Sequence, residues 1–157
     1  MDLVPQEERL LLIEDTAELP LLRPNRVRFT VREGITIRDL LKAGLRHRPD
    51  RIIIGEVPDG AAYDLLQALN TGHGGSLSTL HASSAIRALN RLARLALQAD
   101  TGLPFGSIQS EIADAIQHVA HIQRCGSRRE LTELIRVTGF YADSGAWQVA
   151  PASSTRA

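Results

Sequence analysis

Apolar residues in this chain fall into two kinds of pattern. Leu10 to Ile13 and Ile52 to Ile54 are continuous runs. Short continuous runs of this kind predict strands covered on both faces, as in a parallel sheet. Both runs end in acid: Glu14 and Asp15 follow the first, Gly55 and Glu56 the second. VRFTV (27–31) alternates instead, which predicts a strand with one wet face. Helical spacing takes over in TIRDLLKAGLRHRP. There Thr36 and Asp39 form a capping-box start, and Ile37, Leu40, Leu41, Gly44 and Leu45 share one face. Pro49 stops that helix. DGAAYDLLQALNTG (59–72) predicts a helix capped by Asp59, with Ala62, Leu65, Leu66 and Leu69 inward and Gly72 at its end.

HGGSLSTLHA (73–82) predicts a glycine-rich turn feeding a short strand. SSAIRALNRLARLAL (83–97) is an amphipathic helix, with Ile86, Leu89, Ala93 and Ala96 on one side and Arg87, Arg91 and Arg94 on another. A further helix is expected from about Ser107 to His118. HVAHIQR, RELTELIRVTGF and AWQVA then predict a strand meander. Strand and helix alternate up to His81, the α/β signature. The expected organisation is a core over 1–82, a small helical and β-meander subdomain over 83–150, and a disordered tail over 151–157.

Composition narrows the class. The 157 residues suffice for a real core, and 43% apolar with 23% charged is ordinary for a globular protein. Eighteen basic residues balance eighteen acidic ones. This neutrality argues against a dedicated nucleic-acid binder, so no direct sequence-specific nucleic-acid binding is expected. A single cysteine, Cys125, excludes an internal disulfide and fits a reducing compartment. No run approaches a membrane span. A cytoplasmic protein is expected, or one at the cytoplasmic face of something larger.

Three polar clusters fall at strand ends: Glu14 with Asp15, Glu56, and His73 through His81. In open α/β sheets ligands bind outside the carboxyl ends of the strands. If the strands are neighbours, the clusters converge there and suit a magnesium-nucleotide site. Each residue also has a plainer reading. Glu56 could cap the next helix or face solvent, and the two histidines could be hydrogen-bonded loop residues. His73 and His81 are eight apart, which matches no helix-face zinc spacing. A metal hydrolase using Glu14, Glu56, His73 and His81 is a third reading. His118 and His121 are expected to be structural or exposed, Cys125 a buried small residue, and the Arg87–Arg91–Arg94 stripe a solvated helix face.

LLLIEDTAEL, LRHRPDRIIIGEV and LLQALNTGHGGSLSTLHA, in this order and spacing, resemble the traffic ATPases of bacterial secretion and conjugation. The resemblance covers roughly residues 8–140. IEDTAEL is similar to the family's Asp box, RPDRIIIGEV to its Walker B segment and TGHGGSLSTLHA to its His box. The histidine separation and the ending RRELTELIRVTGF resemble the type IV secretion branch, the TrbB conjugative-transfer type in particular. The resemblance implies a partial RecA-like P-loop NTPase core and ATP with magnesium as cofactors. It also implies a homo-oligomer, a hexameric ring in the family, working with inner-membrane secretion components.

Residue by residue, the resemblance implies that Glu56 polarises the attacking water or holds the magnesium shell. Glu14, with Asp15 beside it, would order the same water and metal. His73 and His81 would sense the γ-phosphate region. Arg46, Arg48 and Arg51 match basic residues ahead of Walker B, which brace the acidic site or a neighbouring subunit. Two features depart from the family. Pro58 stands where an arginine usually follows the GEV. No G-x-x-x-x-G-K-[ST] motif occurs, and the only lysine, Lys42, lies in a predicted helix. Only thirteen residues precede Glu14. The expectation is therefore a carboxy-terminal half of the motor, or a catalytically inactive fragment acting as an interaction module.

Overall fold

The computed structural model describes residues 3–58 and 60–152. The chain divides into two units, Met1–Leu80 and His81–Ala157.

The first unit is a parallel sheet with two helices. Its strands are β1 (Leu10–Glu14), β2 (Arg26–Thr30), β3 (Arg51–Ile54) and β4 (Leu77–Ser78), in the order β2-β1-β3-β4. Every neighbouring pair is parallel, with Leu12 level with Arg28 on one side and Ile53 on the other. The two continuous apolar runs form the centre, as their lack of alternation predicts. Leu10 to Ile13, Ile52, Ile53 and Ile54 are all buried. Paired residues of neighbouring strands point to the same face. One face therefore carries Leu10, Leu12 and Ile53, packed with Leu21 and Val4. The other carries Leu11, against which α1 (Ile37–Leu45) packs so closely that a Cβ at Gly44 would overlap the Leu11 side chain. The capping box starting α1 forms in full, with Thr36 accepting from the Asp39 amide and Asp39 accepting from that of Thr36. This holds the Asp39 carboxyl below its ordinary value, chiefly through the Thr36 side chain.

α2 spans Ala62–Asn70 and buries Ala62, Leu65, Leu66 and Ala68. Its N-cap, Ala61, supplies no side-chain cap bond, and the expected cap Asp59 lies outside the described residues. Gly72 and Gly75, with φ of 113° and 72°, turn the chain into β4.

The second unit pairs two helices with an antiparallel sheet. α3 (Ala85–Leu97) starts at Ser84, whose hydroxyl accepts from the Arg87 amide. Its core face is Ala85, Leu89, Leu92, Ala93, Leu95 and Ala96, while Arg87, Arg91 and Arg94 are exposed. α4 spans Phe105–Ala115 and buries Ile108 and Ile112. β5 (His118–Cys125), β6 (Arg128–Tyr141) and β7 (Ala146–Pro151) form the meander, in that order. The ladder runs two residues into the stretch expected to be loose. Pro151 ends β7 and the Ala152 amide donates to the Leu134 carbonyl, while 153–157 lie outside the described residues. Cys125 was expected to be buried, and it is exposed. It ends β5 at a two-residue turn, where the ribbon has no core to enter.

Candidate functional site at the carboxyl edge of the parallel sheet

Two adjacent strands deliver acids to one edge. β1 ends on Glu14, and β3 runs one residue past its end into Gly55, whose amide donates 2.9 Å to the Ile13 carbonyl. A Cβ on Gly55 would sit 3.5 Å from Glu14 Cγ, so Glu14 and the Gly55–Glu56 step lie side by side. Beyond them the edge stays zipped: the Val57 amide donates 3.1 Å to the Thr79 carbonyl, and the Thr79 hydroxyl donates to that of Gly55.

The two acids differ in environment. Glu14 is buried, 2% exposed. Its Oε1 accepts from the amides of Glu18 (3.0 Å) and Leu19 (2.8 Å), tying down the loop after β1. Its Oε2 lies 3.2 Å from Arg28 Nη2. That contact is ionic only, because the geometry makes no hydrogen bond and Oε2 is a buried oxygen without a hydrogen-bond partner. Arg28 instead donates to the Leu19 carbonyl, so acid, arginine and loop form one cluster. Glu56 is exposed at the same edge, and so is Asp15. Asp15 borders an open depression of about 640 Å³, together with Arg32, Arg38 and Pro58.

The histidines do not converge with these acids as a group. α2 carries the chain back across the sheet, so His73 precedes β4 and sits at the amino edge. There its Nδ1 pairs with the Ala68 carbonyl at 2.8 Å and its carbonyl accepts from Ser76, whose hydroxyl oxygen receives the Ile52 amide. Clustering of His73 with Glu14 and Glu56 is thereby corrected. A residue ahead of a parallel strand lies a strand length from one that follows its neighbour. His81 opens the second unit and is exposed, two residues after Thr79. The four-ligand metal hydrolase reading loses its geometry with His73. Among the described residues no group of three or more His, Cys, Asp or Glu side chains could hold a metal.

The three arginines also sit at the amino edge. Arg46 is the C-cap of α1, Arg48 follows with φ of 50°, and both are exposed. Arg9, just ahead of β1, donates 2.7 Å to the adjoining His47 carbonyl. Arg51 forms a two-pronged pair with Glu8, its Nε bonding Oε2 and its Nη2 reaching Oε1 at 3.1 Å. Sequence reasoning missed both Glu8 and Arg28. Glu8 left no signal. Arg28 left one: the alternation in VRFTV places it on the Glu14 face.

The Arg51 guanidinium holds the Glu8 carboxyl below its ordinary value, chiefly by the side-chain hydrogen bond. A depressed carboxyl stabilises the fold above its unfolded pKa, and that contribution is lost as pH falls through the folded value. Compared with Glu8→Gln, the native chain should therefore hold its urea-midpoint advantage above pH 4.5, the ordinary glutamate value. The advantage should vanish at lower pH, and a pH-independent gap would contradict the pairing.

The oxygen donors at the carboxyl edge suit a hard cation such as magnesium. The buried Oε2 of Glu14, which has no hydrogen-bond partner, and the exposed Glu56 fit the acid half of a magnesium-nucleotide site. Nothing among the described residues forms the glycine-and-lysine loop that would hold phosphates.

Comparison with known proteins places this arrangement. The type II/IV secretion system protein family matches residues 1–154. The conjugal transfer protein TrbB of Rhizobium radiobacter is 40% identical over 134 residues, 85% of this chain and 40% of that protein. The type IV secretion system protein VirB11 of Bartonella quintana is 32% identical over 139 residues, 83% of this chain and 39% of that protein. The crystal structure of the VirB11 ATPase from the Brucella suis type IV secretion system, in complex with sulphate, superposes with a TM-score of 0.80 at 34% identity. It covers 85% of this chain and 41% of that one. The chain thus spans about 40% of the length of these relatives. With a family model matched along nearly all of its length and relatives up to 40% identical, the chain belongs to the type II/IV secretion system protein family.

Proposed function

We propose that this chain carries the acid and histidine part of an ATP-hydrolysing motor for conjugative DNA transfer or type IV secretion. Side-by-side delivery of Glu14 and Glu56 to the carboxyl edge carries this reading. Glu56, the exposed acid, polarises the attacking water. Glu14 acts from behind: its charge lies next to Gly55, and its hydrogen bonds hold the Glu18–Leu19 loop. Asp15 borders the same edge. Glu56 and Glu14 would hold magnesium indirectly, through water, and the ion would supply charge neutralisation for the ATP phosphates. His81, two residues after Thr79 in sequence, takes the γ-phosphate-sensing role that the family resemblance gives it. His73 acts at a distance, by setting the turn that enters β4.

Arg46, Arg48 and Arg51 face away from that edge. In a ring of subunits, hexameric as in the family reading, the exposed Arg46 and Arg48 serve a neighbour's interface, while Arg51 is engaged by Glu8. Working partners are other copies and inner-membrane secretion components, with the motor at the cytoplasmic side. No helix of the described residues is long and apolar enough to cross a membrane.

The reading requires a phosphate cradle from residues outside these 157. Positioning is most of phosphoryl-transfer catalysis. The test compares two proteins by ATP binding and phosphate release. One is this chain. The other is this chain joined to the part of the Rhizobium radiobacter relative that the alignment leaves uncovered. Binding and turnover are expected only in the joined protein. Turnover by this chain alone would overturn the assignment of the missing cradle. A joined protein that binds ATP without hydrolysing it would overturn the roles given to the acids.

A further inference from the structure

The β5–β6 ribbon outgrows the unit that carries it. The bulge between His121 and Ile122 marks the change. Before it, Val119, His121, Ile135 and Val137 turn toward α3 and α4. His121 Nε2 approaches the Ala82 carbonyl at 3.3 Å and Glu133 accepts from the Ala85 amide. After it, every residue of β5 and β6 from Ile122 to Thr132 is exposed, on both faces. A bare two-stranded ribbon gains nothing from a core. Yet this one carries Ile122 at 61% and Leu131 at 57% exposure, directly opposite each other.

The register sorts the side chains. Residues two apart share a face, and paired residues share it too. The face turned away from the helices therefore holds Arg124 opposite Arg129, then Ile122 opposite Leu131, then Ala120 opposite Leu134, then His118 opposite Arg136. Leu134 is 37% exposed. The two glutamates of the ribbon, Glu130 and Glu133, pair with Gln123 and His121 on the other face. Like charges directly opposite are destabilising. Even so, Arg124 and Arg129 stand opposed, and among the described residues no acid pairs with either, or with Arg136.

We propose that this face docks an acidic protein segment with an apolar centre and carboxylates at both ends. Arginine forks bind carboxylates two-pronged, so an arriving acid would relieve the opposed pair while its apolar neighbours covered Ile122, Leu131 and Leu134. The basic ends are six residues apart, about 20 Å along a strand, which is the span of a short extended segment. Two features favour a peptide over other anions. The apolar strip lies on the flat of the ribbon, while the tip, Cys125 to Arg128, is polar and unsuited to entering a bilayer. Between the basic ends there is no Phe, Tyr or Trp on which bases could stack.

The probe is a fluorescein-labelled octapeptide with two glutamates at each end of a Leu-Val-Leu-Val centre, read by anisotropy against this chain. Saturable binding is expected, weakened by raised salt. It should fall about tenfold or more in Arg124→Glu/Arg129→Glu, and likewise in Ile122→Ser/Leu131→Ser. All four positions are exposed, so circular dichroism should be unchanged. A lysine-ended peptide should prefer the Arg→Glu variant. Absence of saturable binding, or binding by either variant as tight as that of the native chain, would overturn the proposal. Capture by phosphatidylglycerol vesicles or duplex DNA without peptide binding would do the same, in favour of a membrane or nucleic-acid face.

Discussion

Glu14→Ala should lower the unfolding free energy of the first unit by about 3 kcal/mol, the low end for breaking a buried ion pair. The low end applies because Arg28 is 34% exposed and can return to water. The loss has two parts. The Glu18 and Leu19 amides lose a charged acceptor, and such bonds contribute roughly 1.5–3 kcal/mol each before water replaces them. The Arg28 guanidinium also loses its counter-charge. Glu14→Gln separates the parts, because an amide oxygen can still receive both backbone donors. It should cost about 1 kcal/mol. Urea unfolding of the three proteins decides. Equal losses for Ala and Gln would mean that charge alone matters, and no loss in either would remove Glu14 from the architecture of the edge.

Much of this edge was legible in the sequence. A short run of isoleucines or leucines with no polar alternate does not suit a half-wet sheet, so Leu10–Ile13 and Ile52–Ile54 pointed to central parallel strands. The acid following each run had to emerge at the carboxyl edge. Thr36 with Asp39 specified the start of α1 for an equally local reason, as both partners of the box lie within one turn. His73 was misplaced because its distance from the acids depends on the direction in which α2 returns the chain. Periodicity carries no such information. Arg51 was read as bracing the acidic site or a neighbouring subunit; its partner Glu8 lies 43 residues away and no spacing rule joins them. Cys125 was read as buried from residue type, when its place in a bare ribbon decided its exposure.

The second large effect concerns turnover. In the protein that joins this chain to the uncovered part of its relative, Glu56→Gln should cut phosphate release by about 10²- to 10⁴-fold, the range for losing a positioned base. ATP affinity should change little, since a side chain acting on water makes no strong ground-state contact with the phosphates. The glutamine keeps the shape of Glu56 and removes its charge. Glu14→Gln should lose activity together with stability, because Glu14 acts through the loop and strand it holds. A Glu56→Gln protein that turns over normally would move the base elsewhere, with Asp15 as the next exposed acid on that edge.

The Arg51–Glu8 pair has a bearing on how this sequence can vary. Gly75 has φ of 72°, and a Cβ there would fall inside the Arg51 guanidinium. Arg51 Nη1 also reaches the Gly75 carbonyl at 3.4 Å, while its other nitrogens hold Glu8. Positions 8, 51 and 75 are therefore physically coupled. An alanine at 75 displaces the arginine, a displaced arginine strands the glutamate, and a shorter side chain at 51 vacates the space that only glycine now leaves open. A change at any one of them is felt at the other two.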